Sequence, residues 1–419
     1  MTRKHSLYAY ILGAAAIAVV ATQVFSQGPL TPPGAPAPTM KTLAQIEPRI
    51  DILTLPGSAT AEHVISQAGS YYLSDNLTVT KASGIEIGSS SVTLDLMGFQ
   101  ITRNLFTPGT ADAIVITGSG AVNIKIKNGT IIGAKIANGI VSTVTGVLAN
   151  IRVSELSVIA NSSDGINLGF AKSNYVDHCS IENSGGKGIV AGEISNSTSE
   201  NCTSDAIYAS GSVSNCRGVT AEVPAGGGSL TTIGIFAQGN VTDSYGSSKG
   251  NSSFSHGIHS NQNVSNSTGI AESGLGIFCA QNVTNSSGTS TSNNGIEATG
   301  NVMSSTGSSV DSNGISGKNI SNSSGESSSS NGIIAGGNVD NSSGRSFSTT
   351  TDANGIRAIR NVSNSDGRAV SSMGAGIHAG STISHSSGIN SVGAGLKCNI
   401  GIGCTSDGGD QILNKYNMP

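Results

Sequence analysis

Tyr208, Phe236, His259 and Phe278 each stand two residues after the Gly or Ala of a Gly-Ile or Ala-Ile pair, and Val190 holds the same place one unit earlier. Rings repeated at one offset, on a surface that brings the repeats together, could stack on the apolar faces of sugar rings. These four residues are the ligand-binding candidates. Later in the chain the position changes character, to Glu297, Arg357, His378 and Lys397. Isolated exposed apolar residues are ordinary on any surface, so the column matters only if it is continuous.

A column of this kind needs a scaffold that stacks the repeats, and the sequence contains one. From Gly257 onward the Gly-Ile pairs, with Gly395-Leu396 as the last, are spaced 19, 19, 19, 18, 23, 21 and 19 residues apart. A fixed period of this length marks a solenoid. After each anchor Ile one residue varies freely and the next is small (Ala209, Ala237, Ser260, Cys279, Ala298), which is a strand with one face buried. A second strand follows, as in Asn263 to Gly269, with Val264 inward, and the polar third side absorbs the differences in length. The expected fold is all-β, a parallel β-helix of about 15 short coils, roughly 70 Å long at ~4.8 Å per coil. Gly is expected to take left-handed backbone before each Ile. The Asn on either side of each Val are expected to hydrogen-bond from coil to coil. Sequons at Asn240, Asn263, Asn282 and Asn319 follow the repeat and are read as parts of that ladder.

The composition agrees. The 419 residues include 57 Gly, no Trp and only 11% charged residues, so any core must be built from small and β-branched side chains. Regularly placed Ile and Val argue against a disordered tract. The net charge of −4, with no basic run, leaves nucleic acid without an electrostatic footprint. Arg3 and Lys4 precede an apolar run from Leu7 to Val24, which reads as a signal peptide over 1–26 and an exported protein, extracellular, at the cell surface or periplasmic. Left uncleaved, the run would be a membrane anchor, the one membrane contact foreseen. A Pro-rich spacer (27–40), a cap with the first strands (41–83), repeats (84–408) and a tail (409–419) complete the division, with a short helix expected around Leu43, Ile46 and Ile50. Six cysteines in an exported chain suggest disulfides. Cys398 and Cys404 are the bridging candidates and Cys202 with Cys216 a looser pair, while Cys279 and Cys398 also fit the inward row as buried thiols.

The stretches 32–50, 69–79 ("GSYYLSDNLTV") and 84–101 ("GIEIGSSSVTLDLMGFQI") resemble exported bacterial right-handed parallel β-helix repeat proteins of the pectin-lyase-like superfold, an uncharacterised group. The resemblance implies right-handed coils and no particular activity. Within that superfold, "NYVDHCSIENS" (174–184) is similar to a pectate lyase stretch, which would make Asp177 a calcium ligand beside His178. One carboxylate does not make a calcium site, and the arginine motif of those lyases is absent. "NSSDGI" (161–166) is similar to a polygalacturonase stretch that would give Asp164 a catalytic role, with Asp205 and His256 in the other places. Inverting hydrolysis needs two carboxyl groups within about 10 Å, which two coils just permit. The leading expectation is a non-catalytic scaffold or glycan-contacting surface protein, with polysaccharide or a cell-surface molecule as partner and no cofactor. The alternative is a polysaccharide lyase or hydrolase using Asp164, Asp177, His178 and Asp205, with Ca²⁺ in the lyase case alone. Adhesion along uncovered edges is a third class.

Overall fold

The computed structural model describes residues 49–418 except 104–110, 119, 134–135, 145–148, 224–228 and 350–351. The proposed signal peptide, the spacer and most of the expected short helix lie outside the described residues. Ile50, assigned to that helix, instead begins the strand Ile50–Asp51, and a 3-10 turn over Ile52–Thr54 follows. Among the described residues no helix is long and apolar enough to cross a membrane.

Among the described residues every inter-strand pairing is parallel and joins one coil to the next, so the fold is the expected parallel β-helix, of about 16 turns. A representative coil has a first strand Ile258–Ser260, a second Val264–Ser265 and a third Thr268–Ala271. The next coil pairs with all three in register: Ile258 with Ile277, Val264 with Val283 and Thr268 with Ser287. The inward Ile and Val columns therefore stack into one core, and Ile207, Ile235, Ile258, Ile277, Ile296 and Ile315 are fully buried within it. The stacking begins before the first Gly-Ile pair, because Ala61–Ile65 pairs with Ser83–Ile87. There His63 takes the Ile85 position, and its Nδ1 lies 2.9 Å from the Leu55 carbonyl. It also continues past 408, since Gln411–Tyr416 pairs with Ala394–Ile402.

The expected cause of the glycine repeat is corrected. No anchor glycine has positive φ. Most of the left-handed residues other than glycine form another column, at the corner between second and third strands: Glu155, His178, Asn196, Asn215, Asp243, Asn266, Asn285, Ser304, Asn322, Asn341, Asn364 and His385. Asn tolerates this conformation better than most residues and offers an amide as well. The Asn285 Nδ2 donates to Asn266 Oδ1 at 2.8 Å, and Asn341 Nδ2 to Asn322 Oδ1 at 2.6 Å. Glycine is instead required by close approach. A Cβ on Gly276 would lie 2.5 Å from the Gly295 carbonyl oxygen. A second glycine column, Gly246, Gly269, Gly288 and Gly307 on the third strands, is equally tight.

The other ladders are built as expected. Asn282 donates its backbone N–H and its Nδ2 to Asn263 Oδ1, and Asn263 does the same to Asn240. The sequon side chains are thus engaged between coils. A serine column satisfies the turn into the third strand: Ser267 N–H donates to Ser286 Oγ at 3.2 Å, and Ser267 Oγ donates to the Ser265 carbonyl at 2.7 Å.

The cysteines belong to these rows. Cys216 and Cys404 take the serine role, donating to the Ser214 and Ile402 carbonyls as Ser386 does to that of Ser384. All six are buried free thiols, Cys398, Cys404, Cys202 and Cys216 included, which replaces the bridged pairs expected from the sequence. Burial pushes the Cys179 thiol up to about 12, and those of Cys216 and Cys398 to about 11. With so little thiolate, the folded chain is expected to leave its thiols unreacted with an aromatic disulfide reagent and to release all six on denaturation. Counting thiols without added reductant checks this, and four instead of six would show that a bridge forms.

Candidate functional site

The variable residue of each first strand faces outward, and pairing sets these side chains in one line. Val190, Tyr208, Phe236, His259, Phe278 and Glu297 occupy consecutive coils at the same register. The expected column is therefore continuous. The coil spacing is also a ring-stacking distance. Tyr208 and Phe236 stack with centroids 4.5 Å apart, Phe236 and His259 lie at 4.9 Å, and His259 and Phe278 meet edge-on at 4.7 Å. Phe170, absent from the sequence reading, packs edge-on against Tyr208 at 5.3 Å and is 62% exposed. The four rings of the column are half-buried, and Val190 is fully buried. Tyr208 and Phe236 cover one face of each other, while His259 is tilted against Phe236 and edge-on to Phe278. A row of free sugar-stacking faces is thus not what the sequence column becomes; Phe170 is the aromatic side chain most open to solvent here. The long insertion from Val219 to Ile233, which the sequence places beside this column, runs through 224–228, outside the described residues.

Asp164, Asp205 and His256 lie along the neighbouring corner, each immediately before an anchor pair. Their local role is shared with Asp112, Asn138, Asn294, Asn313, Asn331 and Asn354. In each case a side-chain acceptor takes the backbone N–H of the equivalent residue one coil on. Asp112 Oδ1 accepts from Asn138 N–H at 3.0 Å, and Asn138 Oδ1 from Asp164 N–H at 3.1 Å. Asp164 Oδ1 accepts from Lys187 at 2.8 Å, Asp205 Oδ1 from Ile233 at 3.0 Å, and His256 Nδ1 from Leu275 at 3.1 Å. Asn294, Asn313, Asn331 and Asn354 continue the series as far as Ala375. The remaining oxygens are also engaged: Asp164 Oδ2 accepts from Asn167 Nδ2 at 2.7 Å, and Asp205 Oδ2 pairs with the Lys187 ammonium. That ammonium lies 4.7 Å from the Tyr208 ring centroid, so Lys187, which sequence reasoning passed over, joins this corner to the aromatic stack.

His256 is 7% exposed, and its ring packs 5.3 Å from His259 and 5.9 Å from Phe278. Burial, with the His259 charge second, lowers its pKa to about 4. Both Nδ1 as an acceptor and the low pKa describe a neutral imidazole.

Asp177 and His178 are on a different edge, at the left-handed corner. His178 has φ +50 and holds a place in the asparagine column. Asp177 Oδ1 accepts from Ser195 Oγ at 2.5 Å and Asn196 Nδ2 at 2.8 Å, and Oδ2 lies 2.8 Å from His178 Nδ1. Burial alone would raise the Asp177 carboxyl, but these hydrogen bonds outweigh it and hold it below its ordinary value. A shallow furrow of about 680 Å³ runs beside it, where Arg217 lies 4.4 Å from the Tyr245 ring centroid and pairs with Glu200. Among the described residues no three His, Cys, Asp or Glu side chains gather as metal ligands, at Asp177 or elsewhere.

No family model matches the chain. No curated protein matches it. Among solved structures, the Azotobacter vinelandii mannuronan C-5 epimerase AlgE6 A-module is 10% identical with a TM-score of 0.27, over 88% of this chain and 100% of that one. A likeness that weak carries no argument about this chain.

Proposed function

We propose that the protein is an exported, non-catalytic rod that contacts glycan along the outward face of its first strands. The observation behind this reading is the corner ladder. Asp164, Asp205 and His256 each accept a backbone N–H from the next coil, a role filled by asparagine in the coils after them. A general acid or base needs a free lone pair or proton near substrate, and these atoms are engaged in joining coils. The outward first-strand column, by contrast, holds side chains at a regular pitch, and the polar tips of His259 and Glu297 meet side chains, those of Asn261 and Asn294, and not the backbone of the next coil. Incubating the chain with a panel of plant, algal and bacterial polysaccharides, with and without Ca²⁺, tests both halves of the proposal. Retention without product release is the expected result. Product released by the chain and lost in Asp205→Ala or Asp164→Ala would replace it with a hydrolase or lyase. One observation favours that second reading: Lys187, Asp205 and Tyr208 converge beside Asp164 on a single corner.

A further inference from the structure

The first-strand face changes from aromatic to cationic along the rod. Ile334, Arg357, His378 and Lys397 follow one another in register, with Arg357, His378 and Lys397 on three consecutive coils. At ~4.8 Å per coil the outer two are roughly 10 Å apart. Lys318 and Arg360, on the turns that leave first strands of the same region, add two exposed cations beside this column. None of Lys318, Arg357, Arg360 and Lys397 belongs to an ion pair among the described residues, unlike Lys187, Arg217, Lys249, Arg368 and Lys415. Nearby carboxylates are engaged or sparse. Glu297 accepts from Asn294 Nδ2 at 2.8 Å, and Asp410 lies 3.3 Å from Lys415. Asp352 acts weakly on His378, whose imidazole is pushed down by burial and then by the Lys397 and Arg357 charges. Uncompensated positive charge so disposed, in a chain of net charge −4, is a local feature and not a bulk one.

Two furrows run along the same line. One of about 510 Å³ lies between Lys318 and Arg357, floored by Ser316, Gly317 and Ile334. Another of about 470 Å³ is lined by His378, Lys397, Leu413 and Asp410, the last facing Lys415 at 3.3 Å. Hydroxyl, glycine and aliphatic surface between cations suits pyranose rings whose substituents carry negative charge.

We propose that Lys318, Arg357, Arg360, His378 and Lys397 form a site for a linear acidic glycan, carboxylated or sulfated, lying along the rod axis. The proposal rests on the glycan-contact reading above and specifies its ligand. Such a chain repeats its charge at a sugar-ring length, which matches one or two coil steps. Nucleic acid fits less well: single-strand readers supply free aromatic faces, and the rings of this face are stacked on one another.

Affinity electrophoresis of the purified chain through gels containing polygalacturonate, a sulfated galactan or neutral dextran tests the assignment, at low and at high salt. The acidic gels are expected to retard it in a salt-sensitive way, and their relative strength identifies carboxylate or sulfate as the partner group. Arg357→Ala with Lys397→Ala should weaken retardation about tenfold or more. Lys318→Ala with Arg360→Ala, at exposed turns, repeats the test without touching a strand. Arg345→Ala, an exposed cation on the third-strand face, is the off-site control and should change little. Equal retardation by dextran with no loss in either double variant would overturn this inference and leave glycan contact standing. No retardation by any glycan would remove both. Equal loss in Arg345→Ala, or tighter binding to single-stranded DNA than to polygalacturonate, would also overturn it.

Discussion

Replacing Gly288 with alanine is expected to break the coil stack locally, although the change adds one methyl group. The new Cβ would fall 2.2 Å from the Gly295 carbonyl oxygen and 2.6 Å from Ile296 Cγ1. The first contact is backbone, which cannot rotate away as a side chain would. Ile296 is itself fully buried and paired in register with Ile277 and Ile315. Relief therefore requires moving a first strand off its neighbours, a cost of roughly 3 kcal/mol or more, typical of overpacking against backbone. In a solenoid such a cost is felt mainly by adjacent coils, because each coil contacts its neighbours and little else. Limited proteolysis with mass spectrometry should find new cleavage in the third-side loops next to the substituted coil, near Ser292 and Asn293, while distant coils stay protected. Thr289→Ala, one residue on and facing solvent, is the control and should lie within about 0.5 kcal/mol of the parent. An unchanged digestion pattern in Gly288→Ala would mean that close approach is not why glycine recurs there.

This glycine column also shows where sequence reading stopped. The period, the inward Ile and Val rows and the outward column were legible, because a strand alternates strictly and a solenoid repeats the alternation. The reason for the glycines was not. A glycine needed for left-handed backbone and one needed for close packing look the same in sequence, and here the left-handed corner is given to Asn266 and its equivalents. The first coil carries no anchor pair, because His63 stands where other coils have Ile, and its strands were therefore assigned to the cap over 41–83 instead of to the repeats. The motif matches around Asp164, Asp205 and His256 concealed a structural role for a related reason. Any side chain with a lone pair can cap the next coil, so Asp, Asn and His interchange in a ladder that resembles catalytic wording. Arg357, His378 and Lys397 were legible as one column although 21 and 19 residues apart, but Lys318 and Arg360, on turns outside the repeat position, join them only when coils stack.

Interchange within the corner ladder gives the second large effect, a loss of stability on mild acidification that should depend on one imidazole. His256 accepts the Leu275 N–H at Nδ1, so a proton there would set a donor against a donor. Its pKa falls from an ordinary 6.5 to about 4, through burial and then the His259 charge. Because the folded value is the lower one, the unfolded chain binds the proton more readily. The contribution of neutral His256 is then complete above pH 6.5, declines as pH falls from 6.5 to 4, and is gone below that. The difference corresponds to ~3 kcal/mol. His259 has its pKa lowered by burial too, against its Asn261 hydrogen bond and the Asp205 charge, and His378 by burial and then the Lys397 and Arg357 charges, so both add to the decline in the same direction. Carboxylates such as Asp177, held below their ordinary value, lose their contribution at more acidic pH and so do not confuse the window. His256→Asn supplies the acceptor that Asn294 already uses toward Asn313 N–H at 3.0 Å, without a titrating group. Urea unfolding at neutral pH should then place the variant within about 1.5 kcal/mol of the parent, the usual cost of a hydrogen-bond-conserving exchange. Between pH 6.5 and 4 the parent should lose stability that the variant largely keeps. If both lose it equally, the acid response originates elsewhere, and His256 is not held neutral by its place in the ladder.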